Sequence, residues 1–347
     1  VCIKKVYSGA FLPGMLSVKN IYLGVFVTVL IALEVALGSV NIPAAELMEA
    51  LTRSPEANPG FLTIIWDSRI PRALAACLTG ASIAWSGMLM QTLFRNPLAG
   101  PSMLGITSGS ALGVALMAMT AGARVIASDW GIATLASAAF IGAILSLGLV
   151  LLVARRISEQ GTLLIFGIML SFFTSAVVDA LQSAATNEAL RTYINWGLGS
   201  FANCDMRENA VIAAALLVGL LITQRIMPRL NLMLLGDQYA ATMGVHVGQT
   251  RRSMMVTAGL LAGVTTAFCG PIAFIGLAVP HLSRKLTGTA DHRKNLLCNL
   301  LIGAGVAMLC DLISRMTSLP LNTIASALGA PFVILLLLGP KTFKSLL

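Results

Sequence analysis

Long apolar runs separated by short polar junctions dominate this chain, and their spacing predicts its fold. Crossing about 30 Å of hydrocarbon takes roughly 20 apolar residues in a helix. Runs near 21–40, 70–92, 102–121, 130–154, 162–184, 207–227, 253–271 and 295–314 approach or exceed that length. Two shorter runs, PIAFIGLAVPHL (271–282) and IASALGAPFVILLLLG (324–339), have the lengths of short or broken spans. Counting both predicts ten crossings with both termini on one side, whereas counting neither predicts eight; ten distributes the basic pairs consistently and is the expectation. The runs are continuous rather than alternating with period two, which excludes a membrane β-barrel. The expected fold class is all-α, a polytopic membrane protein forming a single transmembrane domain over 1–347.

Composition strengthens that picture. The chain is 57% hydrophobic and 11% charged, with a mean hydropathy of +0.86, whereas a soluble domain carries about 25% charged residues. So few charges do not cover a globule with a solvated surface, so most of the outer surface faces membrane lipid. The net charge of +9 comes from basic residues at the ends of apolar runs. That is the pattern of topology signals, and no nucleic-acid partner is expected. With residues 1–20 cytoplasmic, the outer side keeps only Arg53, Arg69, Arg72, Arg124, Arg191, Arg207 and Arg315; every lysine falls inside, with none between Lys19 and Lys285. The run from Ile21 reads as a retained span and not as a cleaved signal peptide. Cys2, Cys77, Cys204, Cys269, Cys298 and Cys310 lie mostly within apolar stretches without metal-type spacing. They read as buried small hydrophobes, not disulfides. The longest outer segment, 39–67, contains AAELMEAL, which predicts a short surface helix.

No enzyme signature emerges, and no cofactor or metal is expected. His246, His281 and His292 lack His-Glu-x-x-His spacing, no serine sits in a Gly-x-Ser-x-Gly elbow, and GPKT (339–342) lacks the first glycine and preceding strand of a phosphate loop. Uphill transport would therefore draw on an ion gradient or on a partner subunit. Of the acids within spans, Glu34 falls late in the first, near an interface, and Asp179 lies inside 162–184. A carboxylate at the bilayer centre costs about 2.5–3.5 kcal/mol. Asp179 then faces a protein interior or water path, or else it sits near the outer end of a tilted helix; both readings stand. Gly105, Gly109 and Gly113, and likewise Gly259 and Gly263, recur four apart, which predicts close helix packing.

Three polar regions ask for more than packing. WDSRIPRAL (66–74) sets Arg69 and Arg72 at the outer mouth of the second span, with Pro71 suited to a first helical turn. CDLISR (310–315) puts Asp311 and Arg315 four apart, so that they pair along a late helix. Three arginines at outer span ends, against the positive-inside trend, favour docking of something acidic. On the inner side, 228–252 is too polar to cross and too apolar for a free loop. DQYAATMGV predicts a short helix ending near Gly244, followed by a turn and a second short helix entering Arg251 and Arg252. Such helices suit contact with a soluble motor, against the alternative of an ordinary interfacial amphipathic segment.

The strings RIPRALAACLTGASIAWSGMLMQTLFRNPLAGPSMLGITSGSALG (69–113), LNLMLLGDQYAATMGV (230–245), IAFIGLAVPHLSRKLTGTADHR (272–293) and LGAPFVILLL (328–337) closely resemble the permease subunits of type II ABC importers, which take up iron–siderophore complexes, haem and cobalamin. The likeness runs in order from about residue 60 to the C-terminus; the first sixty residues match only as one span and an outer loop. The resemblance implies a homodimer of ten-helix subunits in the bacterial inner membrane, with an inverted repeat of spans two to five and seven to ten. Two cytoplasmic ATPase subunits and an extracytoplasmic binding protein complete the assembly it implies. Carried over, Arg69, Arg72 and Arg315 are implied to dock the binding protein. Asp237, Gln238, Ala241, Met243, Gly244 and Val245 are implied to couple to the ATPase. The fifth span, 162–184 with Asp179, is implied to line the pathway. LFRNPLAGPSMLG (93–105) then reads as a fixed cytoplasmic turn, in which Asn96 before Pro97 ends the second span and Pro101 begins the third. The implied cargo is an iron chelate, siderophore or haem, with cobalamin as the alternative and a gradient-driven carrier using Asp179 as the rival mechanism.

Overall fold

A computed structural model describes residues 17–38, 40–120, 131–157 and 159–338; Lys4, Lys5, Arg124 and GPKT lie outside them. The described residues form thirteen helices. They are α1 (Val18–Ala36), α2 (Ala44–Leu51), α3 (Pro59–Phe94), α4 (Ile106–Thr120), α5 (Gly131–Val153), α6 (Gln160–Ser183), α7 (Asn187–Gly197), α8 (Met206–Met233), α9 (Asp237–Thr242), α10 (Val247–Cys269), α11 (Ile275–Thr287), α12 (His292–Thr317) and α13 (Leu321–Leu338). Each of the ten expected runs is helical. Seven helices, α1, α3, α5, α6, α8, α10 and α12, are long and apolar enough to cross a membrane, and α4 and α13 are shorter apolar helices. The helix AAELMEAL forms with its expected bounds as α2.

The helices divide into a sheath and a core. In α3, α10 and α12, 83%, 72% and 67% of the most apolar window is buried, against 22–28% in α1, α5, α6 and α8. A helix apolar all round belongs in an interior, and α3 is one: from Thr79 to Phe94 every residue is buried. Several of its polar groups are hydrogen-bonded to neighbouring helices, as a site away from water favours. Trp85 Nε1 donates to Thr223 Oγ1 of α8 at 3.0 Å, and Ser86 Oγ to the Ala258 carbonyl of α10 at 2.9 Å. Close approach rests on glycine. A Cβ at Gly80 would strike the Gly303 backbone of α12, and one at Gly109 the Gly142 backbone of α5.

Several boundaries differ from the sequence expectation. Gly105 does not belong to the Gly109–Gly113 row; at φ +70° it caps a one-turn 3-10 helix, Pro101–Leu104, so Pro101 opens that turn and not the third span. Pro71 does not begin its helix. The helix starts at Pro59 and passes through a π-helical stretch, Ile64–Arg69, whose wider turn accommodates a proline ring that would clash in a regular helix. Pro228 does not end α8, which continues to Met233 because Leu230 and Met233 are buried in the core; tertiary packing outweighs the lost hydrogen bond. The segment assigned to the inner surface, 228–252, therefore contracts to 234–246. Its second short helix is the first turn of α10.

Candidate functional site

The last turn of α1 leaves backbone carbonyls without helical partners, and arginines gather there. Arg69 Nη1 donates to the Val35 and Ala36 carbonyls, both at 2.8 Å, and its Nη2 to the Val40 carbonyl. Arg315 Nη1 donates to the carbonyls of Glu34 at 3.1 Å and Leu37 at 3.0 Å. These cations also complement the negative end of the helix dipole. Arg72 holds Asp311 in a two-bond fork, Nε to Oδ2 and Nη2 to Oδ1 at 2.8 Å each. Arg315 Nε lies 3.2 Å from the same Asp311 Oδ2, and its Nη2 is ion-paired with the Glu34 carboxylate. Arg72 and Arg315 thus hold the two carboxylates of Asp311 and Glu34, while Arg69 meets backbone carbonyls alone. Accessibility divides them. Arg69 is 4% exposed and does not stand at the rim as its sequence position suggested: its cation is committed to capping α1. The side chains of Arg72 and Arg315 remain 22% and 14% exposed.

At the opposite end, Gly236 (φ +117°) turns the chain out of α8 into the two-turn helix α9. Asp237, in its first turn, gathers three neighbouring elements. Arg95 Nη2, just beyond α3, lies 2.8 Å from Asp237 Oδ1. Arg251 of α10 is ion-paired with Oδ2, and Gln160 Nε2 of α6 donates to Oδ2 at 3.2 Å. Ala240 and Val245 are buried and anchor the segment, so Val245 is not a surface contact. Gln238, Tyr239, Ala241, Met243 and Gly244 are exposed. Tyr239, Met243 and neighbouring Leu235 form an apolar patch around the short helix.

The 93–105 junction is a shaped turn. Arg95 adopts a left-handed conformation that stops α3. Asn96 Oδ1 accepts from Leu98 N at 2.9 Å, and the Pro97 carbonyl bonds His281 Nε2 of α11 at 2.7 Å. His292, fully buried at the start of α12, bonds Thr92 Oγ1 through Nε2 at 2.7 Å and Asn231 Oδ1 through Nδ1 at 2.9 Å. Both histidines are structural links between helices.

Asp179 is exposed, one turn before the end of α6, on the same face as Ile165 and Phe172. Burial, and after it the charge of Asp179, pushes the Tyr193 phenol of α7 up. Glu34, Arg95, Arg251 and Gln160 were not singled out as site residues from sequence. The one available signal was Glu34 itself, a lone acid in an apolar span that required a cation.

Comparisons with known proteins extend this geometry. A model described as the FecCD transport family matches residues 26–339. The chain is similar to the vitamin B12 import system permease protein BtuC of Yersinia enterocolitica, with 38% identity over 286 residues, covering 81% of this chain and 83% of that protein. It is also similar to the protein of the same description from Klebsiella pneumoniae, with 35% identity over 281 residues, covering 80% and 83%. Among solved structures, an inward-facing metal-chelate type ABC transporter superposes with a TM-score of 0.80 at 28% identity, covering 95% of this chain and 99% of that one. PsaBC from Streptococcus pneumoniae shares the fold alone, with a TM-score of 0.55 at 18% identity, covering 77% and 90%. The family match runs from within α1 past the end of α13, and both surfaces described above fall within it: the chain belongs to the FecCD transport family and is the membrane permease of an ABC importer.

Proposed function

We propose that the protein carries a metal chelate inward across the bacterial inner membrane as a homodimer, driven by two cytoplasmic ATPase subunits and supplied by an extracytoplasmic binding protein. The observation that carries this reading is the Asp237 node. One carboxylate joins the exposed helix α9 to the end of α3, the start of α6 and the first turns of α10, so a push on α9 reaches three spans at once. In this reading the motor grips Gln238, Tyr239, Ala241, Met243 and Gly244, while Asp237 transmits the displacement and Val245 anchors it. Asn96 and Pro97 hold the adjacent turn rigid.

Outside, the binding protein docks on the arginine cluster. Arg72 and Arg315 meet it, and Arg69 positions the rim. Steering by charge sets association rate more than affinity. Arg72→Gln is therefore expected to slow docking and flatten its dependence on salt, with α6 and the inner face unaffected; an unchanged salt slope in a docking titration removes the assignment. The face of α6 bearing Ile165, Phe172 and Asp179 lines the path between the two copies. A carboxylate on that face is accounted for by water in a pathway and not by lipid.

The iron chelate expected from sequence and the vitamin B12 imported by the systems of the Yersinia and Klebsiella relatives are both bulky metal chelates. The relatives favour cobalamin as the second reading. Vesicles containing permease, ATPase and binding protein test the mechanism and cargo together. Uptake should require ATP and survive an uncoupler, and the true cargo should raise the melting temperature of the binding protein. Uptake by the permease alone, abolished by the uncoupler, overturns the reading in favour of a gradient-driven carrier.

A further inference from the structure

The loop between α7 and α8 folds back on the end of α10. Ser200 N donates to the Cys269 carbonyl at 2.9 Å. Beside that contact the Cys204 and Cys269 thiols lie 3.5 Å apart, with Thr79 Oγ1 of α3 at 3.3 Å from the Cys269 sulfur. Both cysteines are buried, and both are free thiols. A disulfide needs about 2.05 Å between sulfurs, so closure demands an approach of roughly 1.5 Å by side chains already in contact. In the topology under Proposed function, on which this inference rests, this end of the bundle faces the oxidising outer compartment, where disulfides persist.

We propose that Cys204 and Cys269 are a dithiol that oxidation converts to a disulfide, clamping the α7–α8 loop to the outer end of α10 and arresting transport. The oxidant is a disulfide-bearing molecule on the outer side. One cysteine thiolate attacks a sulfur of that disulfide, forming a mixed disulfide and expelling a thiolate. The second cysteine thiolate then attacks the mixed disulfide at the sulfur of its partner cysteine and releases the remaining thiolate. The two protons given up by the cysteine thiols pass to the two expelled thiolates, so the oxidant leaves as a pair of thiols carrying the two electrons. The clamp acts at the mouth of the path because the loop carries α7, which packs on α4. The sequence reading of these cysteines as inert hydrophobes considered each run separately; the fold brings residues of two runs together.

The complete importer in vesicles provides the test. Diamide treatment should yield the 204–269 cross-linked peptide by mass spectrometry and lower uptake roughly tenfold, as expected when a gating motion is blocked. Dithiothreitol should restore uptake. Cys204→Ser and Cys269→Ser should each transport normally and ignore the oxidant. Persistence of both thiols after diamide overturns the pairing, and a cross-link with undiminished uptake overturns the clamp. Glutathione disulfide, which does not cross the bilayer, tests sidedness separately. Reaction in right-side-out vesicles supports the outer placement, whereas reaction in inverted vesicles alone overturns the topology and leaves the pairing intact.

Discussion

Asp311→Ala is expected to destabilise the folded permease by about 3 kcal/mol, the low end of the range for removing one member of a buried ion pair. Asp311 is the shared acceptor of Arg72 and Arg315 and its side chain is 1% exposed. Without it, Arg72 loses both bonds of its fork, and its guanidinium stays 22% exposed. That partial access to water softens the loss. Arg315 keeps Glu34 and two carbonyls of α1, so the second cation is not stranded. The expected result is a clear fall in melting temperature in detergent, together with weakened docking of the binding protein as the rim loses its geometry. Joint replacement, Arg72→Met with Asp311→Leu, should recover most of the melting temperature, because a packed apolar pair avoids the desolvation penalty of two charges. It should not recover docking. A single variant that melts like the parent would show that Asp311 does not hold the outer cluster together.

How much of this was legible in the sequence depended on the range of the interaction. Local signals read correctly. α3 ends just before Asn96–Pro97, where the residue before proline disfavours helix, at a left-handed Arg95; AAELMEAL forms the expected surface helix, and Asp311 and Arg315 pair four apart on α12. Misreadings arose where a distant element supplied the deciding contact. Arg69 looked like a free rim cation, but its partners are carbonyls 29 to 34 residues earlier. Arg72 finds Asp311 across 239 positions, which no helical periodicity encodes. Pro228 reads as a stop, yet packing of Leu230 and Met233 carries α8 beyond it. Gly105 shares its spacing with Gly109 and Gly113, but spacing does not report φ, and a left-handed residue closes a turn instead of continuing a helix. At the other end of the bundle the strings marked the stretch that folds as α9. They could not reveal that Asp237 would tie α9 to three other elements, because Arg95, Gln160 and Arg251 belong to three separate junctions.

That attachment gives the second large effect. Asp237→Ala is expected to cut uptake per ATP hydrolysed by roughly tenfold or more, while barely altering stability. The two consequences separate because the node is partly solvated: Asp237 is 25% and Arg95 41% exposed, and pairs this accessible contribute only about 0–1 kcal/mol each. Its value lies in direction, not in energy. With the carboxylate gone, α9 retains the Ala240 and Val245 anchors but no longer pulls on the ends of α3, α6 and α10, so motor closure moves the short helix without moving the bundle. Asp237→Glu should restore part of the coupling, since the longer acid still reaches the arginines with altered geometry. Gly244→Val provides the contrasting case. A Cβ there meets nothing within 4 Å, so its effect comes from the strain of a β-branched residue at φ +81°, on the order of 1–3 kcal/mol, and from added bulk on the motor-facing surface. It should weaken assembly with the ATPase, whereas Asp237→Ala should leave assembly intact and fail afterwards. Co-purification together with paired measurements of hydrolysis and uptake distinguishes the two. An Asp237→Ala complex that assembles and transports at the parental ratio would mean that force enters the bundle elsewhere than through α9.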